Sequence, residues 1–337
     1  MPPSSPVRAA WLLVRFPFLL SVFCRPLHLF VCPLVHAIPA AGVSSRAMSE
    51  RVVVCLTSAE QEYQALQGED AQSAGRRLTA KVEVLFAEDN AVLQIQQLFR
   101  FVHAPEAERP AALLLHTRVP DGLERVARNA ARAGVGWLLL NRTAPYIESL
   151  RGEHPRLAIA AITTDHVEIG RIQARQLERL RPEARHVLYV QGPADASAAR
   201  LRLEGFEEAA RQRGLELKIL NGEWTDTSAE KAVTAWLRLK TAERFVPHAV
   251  VCQNDNMARG TRRVLELLRS EWARVPFLGC DGLPASGRRD VDEGRLAATV
   301  VIPSCAGPGV EIALRWKRDG IVPPAETVLE PSPYPAT

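Results

Sequence analysis

The sequence has few of the short motifs that mark enzymes and metal proteins. Its six cysteines are scattered, with no Cys-x-x-Cys pair and no cysteine–histidine cluster. This spacing gives no support to a structural zinc site or a thioredoxin-like redox centre. Gly-x-Ser-x-Gly, His-Glu-x-x-His and glycine-rich phosphate-binding motifs are also missing. We therefore expect no enzyme and no cofactor, and we expect the cysteines in apolar runs to be buried, reduced thiols.

Neither positive nor negative charge is in large excess. The 42 lysines and arginines nearly balance 38 acidic residues, and the net charge of +4 includes no basic run. This composition does not predict binding to nucleic acid. With 337 residues, of which 47% are hydrophobic, the chain is long enough for two lobes of roughly 100–150 residues each.

Residues 1–49 do not share the pattern of the rest of the chain. Segment Trp11–Val35 is apolar but interrupted by arginines and prolines, so it does not predict stable membrane insertion, which needs about 20 uninterrupted apolar residues. Two interpretations stay open. Arg8, the apolar segment and the small residues around Ala37 are typical of a secretory signal, which would make the protein periplasmic. Alternatively Met48 is the true start, and the protein is cytoplasmic.

From residue 51 onward, short apolar runs alternate with amphipathic stretches, which is typical of βα units on parallel sheets. The predicted strands are Val52–Leu56, Val82–Phe86, Ala111–Leu115, Gly136–Leu140, Ala158–Ile162, His186–Val190, Leu215–Leu220, Ala249–Cys252, Pro276–Leu278 and Leu296–Ile302. The predicted helices are Glu60–Leu78, Ala91–Val102, Gly122–Ala133, His166–Leu180, Ala198–Arg213, Ser228–Leu239, Met257–Arg269 and Gly309–Arg318. The tail Pro323–Thr337 is predicted to be extended.

The fold class that we predict is α/β, with two doubly wound parallel-sheet lobes. The pattern restarts after Asp165, a good N-cap for the helix that follows. We therefore predict an N-terminal lobe of residues 50–163 plus 303–328 and a C-terminal lobe of residues 164–302 plus 329–337. The chain would cross between them near Thr163–Thr164, near Ile302–Pro303 and around Leu329.

Polar residues follow several predicted strands, where open α/β sheets bind ligands. Such residues stand at Asn141-Arg142, at Gln191-Gly192-Pro193, at Gln253-Asn254-Asp255-Asn256 and at Asp281; Arg202 lies on the helix after the second of these. Their amides, guanidinium groups and carboxylates suit a ligand with many hydroxyl groups. Trp224 and Tyr63 could stack on a sugar ring. Asn and Asp are also ordinary caps and turn formers, and we interpret His116 and His166 as turn and cap residues.

Three segments carry a family resemblance: Val187–Phe206, Val251–Gly260 and Pro276–Val300. Together they resemble the type I periplasmic sugar-binding proteins, such as ribose- and galactose-binding proteins. Sensor domains of lactose-repressor-type regulators share this fold. The resemblance runs in order from Val52 to Ile302. It implies two lobes joined by three crossovers, with the ligand between them.

The resemblance also implies roles for individual residues. Those expected to bind the ligand are Gln61, Tyr63, Asn141, Arg142, Arg202, Trp224, Asn254 and Asp281. Two departures stand out, because Asn141 replaces an aspartate of the family and Ile302 replaces a glutamine of ribose binders. The family's aromatic pair is also reduced to Tyr63. We therefore expect a monosaccharide-like ligand other than ribose.

The predicted function is capture of a small polar ligand in the cleft, for an ABC-type permease or a sensor protein. The alternative is a cytoplasmic ligand sensor or regulator of the lactose-repressor sensor type that lacks a DNA-binding domain. The segment before the fold is apolar and broken by prolines, which does not resemble a helix-turn-helix.

Overall fold

A computed structural model describes residues 50–117 and 120–336. The predictions for residues 1–49, which include Cys24 and Cys32, lie outside the described residues. In the part of the chain that is described, no helix is both long and apolar enough to cross a membrane.

The described elements alternate between strands and helices. The strands are β1 (Val52–Leu56), β2 (Val82–Phe86), β3 (Ala112–Leu115), β4 (Gly136–Leu140), β5 (Ile159–Thr164), β6 (His186–Gln191), β7 (Glu216–Asn221), β8 (Ala249–Cys252), β9 (Phe277–Leu278), β10 (Thr299–Val301), β11 (Glu326–Leu329) and β12 (Ser332–Tyr334). The α-helices are α1 (Glu62–Arg77), α2 (Ala91–Val102), α3 (Glu124–Arg132), α4 (Tyr146–Glu153), α5 (His166–Leu180), α6 (Ser197–Arg213), α7 (Asp226–Leu237), α8 (Asp255–Leu268), α9 (Arg289–Asp292) and α10 (Ala306–Asp319).

The N-terminal lobe is built on a sheet in the order β2-β1-β3-β4-β5-β11. All its strand pairs are parallel. Strands β1, β3 and β4 are buried throughout, as expected when helices cover both faces. Leu113 and Trp137 belong to the core on one face, whereas Leu114 and Leu138 belong to the core on the other. The doubly wound prediction is confirmed for this sheet.

The C-terminal lobe has a second parallel sheet in the order β7-β6-β8-β9. Isolated bridges join Leu278 to Ala298 and Asp281 to Val301, which brings β10 to the edge beyond β9. The last strand, β12, pairs antiparallel with β10. The final residues therefore return to the C-terminal lobe, where β12 and β10 form a two-stranded sheet, after β11 has joined the first sheet. The residue numbers of the lobe boundaries stay a prediction.

Two local features show where the sequence pattern succeeded and where it failed. Asp165 caps α5 as predicted, since its carboxylate accepts a hydrogen bond of 2.8 Å from the Glu168 amide. Helix α4 was not predicted. It is only eight residues long, follows Pro145 with no side-chain cap, and buries Tyr146, Ile147 and Leu150. Its short apolar stripe is too brief to indicate a helix from sequence.

The four described cysteines are Cys55, Cys252, Cys280 and Cys305, and all are buried free thiols, as predicted. Burial raises the pKa of Cys55 and of Cys252 to about 12 and that of Cys305 to about 11. Burial also raises the pKa of Cys280. Each thiol is therefore protonated near neutral pH.

Candidate ligand-binding site

A cavity lies at the carboxyl ends of strands from both sheets. It holds about 710 Å³ of space, including the solvent at its mouth. In each sheet it lies near the point where the strand order reverses, between β1 and β3 and between β6 and β8, which is where open α/β sheets bind ligands. All eight residues that the sequence predicted line this cavity: Gln61, Tyr63, Asn141, Arg142, Arg202, Trp224, Asn254 and Asp281.

The end of β4 supplies the first pair. The Asn141 amide donates to the Ile162 carbonyl at 2.7 Å, and its φ of +55° lies in the left-handed region that asparagine tolerates. Its side-chain oxygen is buried and has no hydrogen-bond partner among the described residues. Arg142 is also buried, and its Nη1 donates to the Asn141 carbonyl at 2.8 Å.

His116 follows β3 and was interpreted from sequence as a turn residue. That interpretation is wrong, because the residue is buried in the cavity wall. Its ring Nδ1 has no partner among the described residues. Burial lowers its pKa well below the usual value, and the Arg142 charge lowers it further, so the ring is neutral. The strand-end rule that selected Asn141 would also have selected His116.

The start of α1 forms another part of the wall. Tyr63 donates its hydroxyl to the Pro303 carbonyl at 2.9 Å, and its ring packs against a small apolar cluster that includes Ile302. Gln61 donates to the Asp89 carboxylate at 3.3 Å. Gln64, which the sequence analysis did not select, is buried with its amide oxygen unpartnered among the described residues.

In the C-terminal lobe, Arg202 and Trp224 form one assembly. Arg202 donates from Nη1 to the Gln253 carbonyl at 2.5 Å, and its guanidinium lies 5.4 Å from the centre of the Trp224 ring. Its Nε donates to His166 Nδ1 at 3.4 Å. The interpretation of His166 as a cap is wrong, because Asp165 caps α5 and His166 is the buried first residue of that helix, in contact with Arg202. Trp224 rests against Gly192, where an added Cβ would lie 2.3 Å from the ring.

Asn254 both caps a helix and lines the cavity, which are the two roles that its position after a strand allowed. Its side-chain oxygen accepts from the Met257 amide at 2.8 Å and caps α8. Its side-chain nitrogen donates to the Trp224 carbonyl at 2.8 Å. The residue therefore fixes the backbone that presents the indole ring while it also lines the cavity.

Asp281 is the carboxylate that the sequence predicted for the cavity wall. The bridge to β10 fixes its backbone, since its amide donates to the Val300 carbonyl at 3.0 Å, while its φ is +106°. No described residue donates a hydrogen bond to its carboxylate. Burial raises its pKa to about 7; the Arg202 charge opposes this shift, and the Glu62 charge adds to it.

A second carboxylate, Asp255, lies fully buried behind Asp281. It accepts from the Gly282 amide at 2.8 Å and from the Thr299 hydroxyl at 2.7 Å. Gly279 and Gly287 pack so closely that a Cβ on either would lie 2.0 Å from its oxygens. Asp255 therefore positions the loop that carries Asp281, a role for which the sequence carried no separate signal.

Four further wall residues were missed by sequence reasoning: Thr57, Glu62, Ala198 and Glu223. Asn256 also lines the cavity; the sequence analysis named it at a strand end but did not select it as a ligand contact. Together the wall offers amides, guanidinium groups, three carboxylates and one indole ring. This set can donate to and accept from several hydroxyl groups at once and can cover the apolar face of a ring. Among the described residues, no group of three or more His, Cys, Asp or Glu side chains could hold a metal ion.

Comparison with known proteins gives a consistent result. The family model described as periplasmic binding protein domain matches residues 52–304. The chain is 28% identical over 284 residues to the ribose import binding protein RbsB of Escherichia coli K12, covering 83% of this chain and 90% of that protein. It is 22% identical over 308 residues to the galactofuranose-binding protein YtfQ of the same organism, covering 89% and 93%.

Solved structures show the same fold. A galactofuranose binding protein superposes with a TM-score of 0.71 at 22% identity, covering 84% of this chain and 94% of that one. The Caulobacter myo-inositol binding protein, bound to myo-inositol, superposes with a TM-score of 0.72 at 18% identity, covering 87% and 95%. The two-lobe α/β fold expected from sequence is confirmed.

Proposed function

Because the chain belongs to the periplasmic binding protein domain family, we propose that it captures a monosaccharide-like sugar between its two lobes. The observation that carries this proposal is the single cavity that gathers all eight predicted contact residues from both lobes. Each lobe supplies part of the wall, so the site is complete only when the lobes are close together.

The chemistry of the wall supports a neutral polyol. Asp281 can accept hydrogen bonds from sugar hydroxyl groups, and Arg142 and Arg202 can donate to ring and hydroxyl oxygens. The Trp224 ring can cover an apolar sugar face. Asn141 in place of an aspartate and buried Ile302 in place of a glutamine favour a sugar other than ribose. Each unmatched polar group of the wrong sugar costs about 1–3 kcal/mol.

We further propose that the protein works in the periplasm and delivers the sugar unchanged to an ABC-type permease. The relatives named as ribose import binding proteins favour this reading over the ligand sensor of the lactose-repressor type. Closure would bend the chain at the three crossovers, near Thr163–Thr164, Ile302–Pro303 and Leu329, as in hinge-type binding proteins.

The test is a panel of D-ribose, L-arabinose, D-allose, D-galactose and myo-inositol. We expect at least one compound to raise the melting temperature, to bind in calorimetry and to reduce the radius of gyration in solution scattering. Mass spectrometry should recover it unchanged. Saturating sugar without compaction would contradict the hinge, a converted product would contradict a pure binding role, and no binding by any sugar would refute the sugar assignment.

A further inference from the structure

One ion pair joins the two lobes directly at the mouth of the cavity. Glu62 is the first residue of α1, on the N-terminal lobe, and Arg259 lies on α8, in the C-terminal lobe. Their side chains meet at 3.0 Å, between Arg259 Nη2 and Glu62 Oε1. Glu62 also lines the cavity, so the pair closes over the candidate site and does not lie on a remote surface.

The C-terminal lobe holds Arg259 in place for this contact. Its Nη1 pairs with Asp290 at 3.1 Å, and its Nη2 also donates to the Asn256 side chain. The Asp290 side chain is only 3% exposed and makes a second ion pair with Arg295. The guanidinium is thus oriented by its own lobe before it reaches Glu62. A preoriented charge loses less side-chain entropy when it pairs than a mobile one does.

We propose that Glu62 and Arg259 form a latch that stabilises the closed arrangement of the lobes and so raises sugar affinity without Arg259 touching the sugar. The inference rests on the proposed function, because its main readout is sugar binding. Opening the lobes separates the two charges, whereas the contacts of Arg259 with Asp290 and Asn256 travel with the C-terminal lobe. A bond made only in one state shifts the equilibrium toward that state by its own free energy.

The expected size is modest. The two side chains are 26% and 42% exposed, and ion pairs at such exposure change an equilibrium about 1.5- to 5-fold. We expect the preorganised Arg259 to place this pair in the upper part of that range.

The test is a double-mutant cycle of Glu62→Gln, Arg259→Gln and the double variant. Calorimetry would measure affinity for the sugar that binds most tightly among L-arabinose, D-allose, D-galactose, myo-inositol and D-ribose. The cycle is run at about pH 8.5, where Asp281 is ionised with or without the Glu62 and Arg259 charges, which respectively raise and lower its pKa. There Glu62→Gln should weaken affinity about two- to five-fold in the wild-type background and leave it unchanged in the Arg259→Gln background. High salt should reproduce the loss in wild type and not in Glu62→Gln. An equal loss in both backgrounds would overturn the latch, because it would mean that Glu62 acts directly on the sugar.

The matched control is Glu208→Gln. It removes an exposed ion pair with Arg171 at 2.8 Å. This pair joins α5 to α6 within the C-terminal lobe and does not link the two lobes, so its loss should not change affinity. A loss there equal to that of Glu62→Gln would show a general charge effect and overturn the proposal.

A readout without sugar separates this inference from the proposed function. Spin labels at Val92→Cys and Leu267→Cys, both exposed and on opposite lobes, report the distance between lobes. The four described native thiols are buried and do not take the label, and Cys24 and Cys32 are replaced by serine. Glu62→Gln should shift the population toward longer distances. If no sugar binds yet this shift occurs, the sugar assignment fails and the latch stands. An unchanged distance distribution together with a cycle that shows no coupling overturns the latch.

Discussion

The two halves of the cavity wall are built differently. In the C-terminal lobe, Arg202, Trp224 and Asn254 are held by their own lobe, through the Gln253 carbonyl, the Gly192 backbone and the α8 cap. In the N-terminal lobe, Gln64, His116 and Asn141 each carry a buried polar atom that has no partner among the described residues. A buried polar atom without a partner costs about 1–3 kcal/mol. One half is therefore already organised, while the other gains most from a polar ligand.

This difference predicts how substitutions act. Changes in the C-terminal half should disturb the site through packing, so that stability and affinity fall together. Changes in the N-terminal half should lower affinity while leaving stability equal or higher. Asp281 is the exception in the C-terminal lobe, because its carboxylate accepts no hydrogen bond from a described residue. Substitutions of Asp281 should therefore lower affinity without lowering stability, as in the N-terminal half.

Asp281→Ala should have the largest effect. It removes an acceptor for sugar hydroxyls from the cavity wall, so we expect a loss of about 2–4 kcal/mol in binding free energy with the fold intact. Calorimetry with the cognate panel sugar measures it. Asp281→Asn is the control, since asparagine tolerates a positive φ and keeps the side-chain shape. Unchanged affinity in both variants would remove Asp281 from the site.

Gly192→Ala tests the organised half. The new methyl would overlap the Trp224 ring, so the indole must move, at a cost of about 1–3 kcal/mol in the free energy of unfolding. Affinity should fall as well. Gly152→Ala is the matched control, because nothing lies within 4 Å of an added Cβ there. Equal free energies of unfolding for the two variants in denaturant would contradict the conclusion that packing organises the C-terminal half of the wall.

The pH dependence should follow Asp281. Its pKa is raised from 3.8 to about 7, and the charged form is the better acceptor for hydroxyls. We expect affinity to rise between pH 6 and 8 by up to about tenfold, or roughly 1.4 kcal/mol. The native state binds this proton more tightly than the unfolded chain. The stability that protonated Asp281 contributes is therefore complete below the ordinary pKa of the residue and is lost as the pH rises through about 7. Asp281→Asn should flatten both profiles.

Gln64→Met should give the smallest change of the four, but it should lower affinity without lowering stability. The apolar side chain has similar volume and removes an unpartnered buried oxygen, so the free energy of unfolding should stay equal or rise by about 1 kcal/mol. Affinity should fall by a similar amount. Thermal unfolding and calorimetry measure the two. A fall in stability would place Gln64 in the organised half after all.

The fold could be predicted because its signals are long and repeated. Strands β1, β2, β4 and β8 and helix α5 have the predicted bounds, since continuous apolar runs and the Asp165 cap leave little ambiguity. Helix α4 lacked both signals. In the tail, the prediction of extended chain did not show that β11 joins the six-stranded sheet and that β12 pairs with β10, because pairing partners depend on distant residues.

Several residues of the candidate site could be predicted from the sequence, as could most of the fold. Strand ends and the family resemblance identified the eight residues that line the cavity, although their contact with a sugar stays a prediction. Asp255 was named at a strand end, but its buried role could not be predicted, because it depends on partners such as Thr299 that are far away in sequence. The role of Gln64 could not be predicted either, because it depends on burial. The Glu62–Arg259 pair joins residues 197 positions apart and carries no motif.

The buried thiols give the protein a built-in set of chemical reporters. Cys55 lies in β1 of the N-terminal lobe and Cys252 in β8 of the C-terminal lobe, and burial keeps both protonated. An alkylating reagent attacks only the thiolate, so each cysteine reacts only in molecules whose lobe has opened locally or unfolded. Peptide mapping after timed alkylation would therefore show, lobe by lobe, which half of the protein opens first and whether bound sugar slows both halves or only one.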